Sequence, residues 1–272
     1  MSKWYSTAAI SGSGFEDLAD RIFSFEELDH DLLSSIDLLF IKDLNDFFQK
    51  FRLFQFIALS NEPIPADEQE SYILLNPGPY FLSRIGHDLI NLFTPFEQFS
   101  YLEEKTVANR LEQGLKFGRQ INIAGHLLQN TKFVSEDLMT IEEFVYTVKT
   151  ASMKKGVELE TEIENNCESE ILGQTNILNV VIDEIINNCK IHSDGESHLK
   201  IKNKKHIFFS NRFKGSLSPD RAKARLRWPF MKTTESEGNG LGLFILSLAS
   251  VRGGFKWDIN IKENIFSLLL SF

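Results

Sequence analysis

Two short stretches of this sequence hold residue types that can do chemistry. Gly238-Asn239-Gly240-Leu241-Gly242-Leu243 stands between an irregular basic segment and an apolar run. Glycines let backbone N–H groups approach phosphate oxygens closely, and a helix starting there adds a favourable partial charge. The stretch does not follow a strand, which argues against a dinucleotide-binding turn. The second stretch is Asp183-Glu184-Ile185-Ile186-Asn187-Asn188-Cys189-Lys190-Ile191-His192-Ser193. Glu184 and Asn188 are four residues apart, on one helical face. A carboxylate and an amide oxygen there suit Mg²⁺, with waters completing its shell. Each stretch alone has a plainer reading, a flexible turn for the first and a polar helix face for the second.

In this order along the chain, the two resemble the ATP-binding domain shared by sensor histidine kinases, gyrase and MutL. In histidine kinases the helix reads roughly N/E-x-x-x-N-A-x-K-H-S, and the glycine box reads G-x-G-L-G-L. Glu184, Asn188, His192 and Ser193 match the first; Gly238, Gly240, Leu241, Gly242 and Leu243 match the second. Trp228-Pro229-Phe230-Met231-Lys232-Thr233-Thr234 resembles the phenylalanine motif between them. The resemblance implies ATP with Mg²⁺. Asn188 would hold the ion and Glu184 would support it or its water. Lys190, His192, Asn211, Lys232, Gly238, Gly240, Leu241 and Gly242 would surround the nucleotide, under a lid formed by residues 212–239. Two departures stand out. Lys190 is displaced by one position, which on a helix is 100°. The strand Ile207-Phe208-Phe209-Ser210-Asn211 runs into Arg212-Phe213 where the family has D-x-G-x-G. Asn211 would accept from an adenine amino group through its amide oxygen, without charge.

The same resemblance implies a phosphoacceptor histidine on the first helix of a dimeric hairpin upstream. Gly86-His87-Asp88-Leu89-Ile90-Asn91 occupies that place and resembles the H-E/D-x-x-N form of the histidine box. Phe81, Ile85, Leu89, Leu92, Phe96 and Phe99 form a stripe within about 40° of Ile85, and His87 lies about 160° from its centre, facing solvent. Asp88 can orient the imidazole and take its proton as phosphate arrives. Asn91, one turn on, would position water for phosphatase chemistry. Pro95 should kink this helix beside the site.

The elements that must position these residues fall into three regions. Residues 1–75 read as helical, with apolar residues at three- and four-residue steps from Leu18 to Leu39 and a Phe-rich helix from about Asp43 to Leu59. Residues 60–70, with two prolines and four acids, read as a linker. Residues 76–140 read as the two-helix hairpin, its second helix from about Arg110 to Asn130, a four-helix bundle in the dimer. Residues 141–272 read as the ATP-binding domain. It comprises helices over 141–156, 175–192 and 240–254, a strand over 157–163, a strand hairpin over 198–211 and two closing strands. The fold class is therefore α+β, with helices on one face of a mostly antiparallel sheet.

Composition narrows the function further. The chain of 272 residues has a formal net charge of −9. Residues 1–80 hold 14 acids and 5 bases, so the imbalance lies there. From Leu199 to Lys232 there are eleven Lys or Arg and one acid. A lid over an anionic nucleotide explains that block with fewer assumptions than nucleic acid does. Two cysteines give no disulfide framework, which suggests a reducing, cytoplasmic compartment. No signal peptide and no membrane-length apolar run is expected. The expected function is a soluble, homodimeric histidine kinase that autophosphorylates His87 from ATP and passes the phosphoryl group to an Asp of a response-regulator receiver domain. Residues 1–75 would meet a separate sensor protein. One rival is a phosphotransfer protein or regulator phosphatase with a degenerate ATPase domain. Another is a non-catalytic scaffold that binds a regulator.

Overall fold

The computed structural model describes residues 6–51, 56–59, 63–66, 69–76, 104–129, 137–164, 170–202, 206–213, 240–262 and 264–272. The chain divides into two compact units, Met1–Arg119 and Gln120–Phe272.

The first unit is built on a sheet, which corrects the expectation of a helical region over 1–75. Strands β1 (Thr7–Ile10), β2 (Arg21–Phe23) and β3 (Leu38–Ile41) are parallel, with β1 between the other two. Strand β4 (Ile57–Ala58) and strand β5 (Ile64–Ala66) both pair antiparallel with β6 (Gln69–Leu75), which lies antiparallel to β3. Among the described residues of 6–76, the α-helices are α1 (His30–Ser34) and α2 (Leu44–Lys50), beside a 3₁₀ turn at Glu16–Leu18. The physical reason is visible in β3. Leu38, Leu39, Phe40 and Ile41 are all buried, and a continuous apolar run is what a strand covered on both faces requires. Short runs of this kind are ambiguous by periodicity alone. Asp29 and Asp43 cap the two short helices through their side chains. Residues 60–70, expected as a linker, contribute β5 and the start of β6. The rings of Phe48, Phe51 and Phe56 surround that of Phe47 at 5.2–5.7 Å between centroids. Each fully buried Phe contributes roughly 1.5–3 kcal/mol.

Helix α3 (Glu104–Gln129) covers most of the stretch expected as a helix from about Arg110 to Asn130 and starts earlier, and its C-terminal part belongs to the second unit. The first hairpin helix lies outside the described residues. Beyond it come β7 (Leu138–Thr140), α4 (Ile141–Lys155), β8 (Leu159–Ile163), β9 (Ile171–Gln174) and α5 (Thr175–His192). Then follow β10 (Ser193–Lys202), β11 (His206–Phe213), α6 (Gly242–Gly253), β12 (Lys256–Lys262) and β13 (Ile265–Ser271). The sheet order is β12-β13-β11-β10-β8, antiparallel except for β10 with β8. Strict alternation explains it: Leu199, Ile201, Ile207, Phe209, Ile259 and Leu268 turn to one buried face. Helix α5 packs between α4 and α6 over that face. These helices and strands match the expected α+β class. The antiparallel pair β7–β9 is an addition, too short to leave a periodic signal.

Candidate active site

Helix α5 is apolar through Ile177, Leu178, Val181, Ile182, Ile185 and Ile186, all buried. Glu184 interrupts this apolar run and is itself only 4% exposed. A carboxylate so placed needs hydrogen-bond donors. One of them is Gln120 on α3, whose Nε2 donates to Oε1 at 3.2 Å and Oε2 at 3.1 Å. Asn188, one turn further on, is half-buried.

The glycine box meets this face. Gly240 has φ 71°, in the left-handed region, and turns the chain into the helix. Leu241 is fully buried, and its carbonyl accepts from the Ile245 N–H at 2.8 Å. Gly242 opens α6. A Cβ built on it would lie 2.9 Å from Glu184 Oε2, 3.3 Å from Asn188 Oδ1 and 3.4 Å from Asn188 Nδ2. The residue must therefore lack a side chain to let the two polar groups pack over the helix start. That is a second reason for glycine here, besides approach to phosphate. The two stretches recognised separately in the sequence thus form one cluster of two oxygen-bearing side chains at a helix N-terminus.

Other expected residues lie apart from this cluster. Lys190 is exposed, and at 100° per residue it stands about 120° around α5 from Glu184. His192 is half-buried in the last turn, on the Asn188 side of the helix. Asn211, in β11, is 7% exposed and pairs in register with buried Ser197 of β10. Its Nδ2 donates to the Arg212 carbonyl at 3.2 Å, which leaves Oδ1 as the acceptor atom. The buried face of the sheet is therefore polar at this end. Cys189 adds a thiol that burial pushes up from its ordinary value, against the opposing Ser197 hydrogen bond. Cys189 is thus a packed neutral group rather than a nucleophile. Asn211 also lines a cavity of about 420 Å³ with Asp194, Gly195, Glu196, His198 and Arg212 among its walls. Glu184 and Asn188 do not line that cavity. We take the cluster at Gly242 as the chemically relevant place, because oxygen donors and a helix start converge there.

His87, Asp88, Asn91, Lys232 and Gly238 lie outside the described residues, as do the first hairpin helix and residues 214–239. Sequence reasoning missed Gln120. Its long-range contact with Glu184 leaves no local signature, although a polar residue on the stripe it shares with Ala124 and Leu127 is a clue.

No protein-family model matches the chain, and no curated protein matches it. Solved structures do. A histidine kinase AdeS of Acinetobacter baumannii superposes with a TM-score of 0.54 at 13% identity, over 68% of this chain and 96% of that one. A mycobacterial sensor histidine kinase, MprB, gives a TM-score of 0.40 at 13% identity, over 51% of this chain and 97% of its own. A full-length ShkA in complex with AMPPNP gives 0.46 at 17% identity, over 71% of this chain and 45% of that one. No helix among the described residues is long and apolar enough to cross a membrane. Over about two thirds of its length, then, this chain has the fold of a histidine kinase.

Proposed function

We propose that the chain is an ATP-dependent protein histidine kinase of the two-component type. The observation that carries this reading is the meeting of Glu184, Asn188 and Gly242 at the start of α6. Two oxygen donors side by side fit Mg²⁺. Asn188 would hold the ion and Glu184 would support it or its water; the ion neutralises phosphate charge when bound with ATP. The amide oxygen of Asn211 would accept from the adenine amino group. Residues 212–239 would close over the nucleotide, with Lys232 reaching the phosphates.

The imidazole of His87 would take the γ-phosphoryl group as the bond to the β-phosphate oxygen breaks and ADP leaves. Asp88 accepts the imidazole proton. The group then passes to an Asp of a response-regulator receiver domain, and Asn91 would position water to hydrolyse that aspartyl phosphate, releasing inorganic phosphate. Residues 76–140 would form the dimer through a four-helix bundle. Residues 141–272 would bind nucleotide, and residues 1–75 would meet a sensor protein.

A second reading rests on Asn211-Arg212-Phe213 in place of D-x-G-x-G. In it, the ATPase domain is degenerate and the chain only relays or removes phosphate through His87 and Asn91. One experiment separates the two. The protein is incubated with γ-labelled ATP and Mg²⁺, beside His87→Ala and Asn188→Ala. The kinase gives acid-labile label that both substitutions abolish. Absence of label, with His87-dependent acceptance of phosphate from a phosphorylated receiver domain, selects the second reading. Neither signal leaves a scaffold.

A further inference from the structure

We propose that Gln120 is a positioning residue for the Glu184 carboxylate, and that through it helix α3 governs phosphoryl transfer at the neighbouring cluster. This rests on the kinase reading above.

The geometry is specific. Gln120 is 6% exposed, and its single amide nitrogen reaches both oxygens of Glu184. A Cβ on Gly242 would also meet Oε2, at 2.9 Å. The carboxylate thus meets both an amide from α3 and the first residue of α6, next to Asn188.

Gln120 does not stand there alone. Ala124 and Leu127 are buried at the next two positions of the same helical face. The Leu127 carbonyl accepts from Arg252 Nε at 2.6 Å, which ties that face to α6. A helix docked by a stripe cannot shift one element of it independently. A slip of one residue rotates the face by 100° and carries the amide away from Glu184. The helix that the kinase reading assigns to the phosphotransfer hairpin therefore holds one end of the catalytic carboxylate's hydrogen bonding. Motion of that helix becomes a change in the aim of Glu184, with no other messenger needed.

The test uses the full chain and compares Gln120→Ala with Leu127→Val, which loosens the same stripe without touching Glu184. Three quantities are read: the rate and ATP KM of phosphohistidine formation, the melting temperature, and ADP affinity with and without Mg²⁺. Loss of a supporting partner at such a site typically costs 10–100-fold, so Gln120→Ala should slow labelling by about tenfold or more and raise the ATP KM in step with the lost Mg²⁺-dependent affinity. It should also lose the Mg²⁺-dependent part of the ADP affinity while keeping the metal-free part. Leu127→Val should lower the melting temperature and keep both. On a Glu184→Gln background, Gln120→Ala should add nothing further. The proposal is overturned if Gln120→Ala labels and binds like the natural chain, or if both variants lose function in step with melting temperature. It is also overturned if the double variant shows additive losses. A natural chain that neither labels nor binds nucleotide removes the kinase reading itself, and this proposal with it.

Discussion

A methyl group at position 242 would sit 2.9 Å from Glu184 Oε2, closer than a Cβ tolerates. Glu184 cannot retreat freely, because Gln120 holds both of its oxygens. The start of α6 must then move, or the carboxylate must abandon its amide. Either response separates the groups proposed to act together. Gly242→Ala should therefore cost about 1–3 kcal/mol of stability, the usual price of overpacking. It should also abolish Mg²⁺-dependent nucleotide binding. Urea unfolding checks the first, and titration calorimetry with ADP and Mg²⁺ the second. Substitution at Gly254 with Asn, where the left-handed backbone has open space, should leave binding unchanged. At this scale the sequence was informative where residue type and spacing both mattered. Glu184, Asn188 and Gly242 were each legible, because a helix fixes an i,i+4 pair and a glycine announces a close approach. Their meeting was supplied only by the family resemblance, and Gln120 by nothing, because tertiary contact has no spacing rule.

The elements of the second unit were legible for a related reason. Helix α4 begins at Thr140 with a complete capping box: the Glu143 N–H donates to Thr140 Oγ1, and the Thr140 N–H donates to the Glu143 carboxylate. It ends at Gly156, in the left-handed conformation. Start, stop and amphipathic middle all point to one helix. Over the described residues of 6–76 the elements are two to seven residues long, and their apolar residues are contiguous. Steps of three and four from Leu18 to Leu39 then arise by chance across separate strands and turns. The capping box also makes a prediction. The Thr140 backbone N–H, and next its hydroxyl, hold the Glu143 carboxyl below its ordinary value. An acid lowered in the folded state stabilises the fold above its unfolded pKa, and that contribution is lost as pH falls through the folded value. Thr140→Ala should thus destabilise the second unit at neutral pH, because the N-cap hydroxyl and its bond to Glu143 are both lost. The difference from the natural chain should shrink below the ordinary glutamate range. Urea unfolding at pH 7 and pH 3 measures it, and a constant difference would count against the hydroxyl's share, since the variant keeps the backbone N–H.

On the scale of the whole molecule, the charge and the cores divide along the same line. The first 80 residues hold most of the acidic excess, and residues 6–76 carry a sheet of their own. The core of that sheet gathers Ile10, Leu33, Leu39, Phe47 and Leu74. The core of the second unit includes Phe144, whose ring meets Phe209 at 6.4 Å between centroids. No residue is shared between these two sets. Separate cores behave as separate cooperative units unless a large apolar interface joins them. Calorimetry of the full chain should therefore show two unfolding steps. Phe47→Ala and Phe144→Ala each delete a fully buried ring, at a cost of about 3–5 kcal/mol. Phe47→Ala should lower only one step and leave nucleotide binding intact. Phe144→Ala should lower only the other and weaken binding with it. If both substitutions displace one common transition, the two units unfold cooperatively rather than as separately folded bodies.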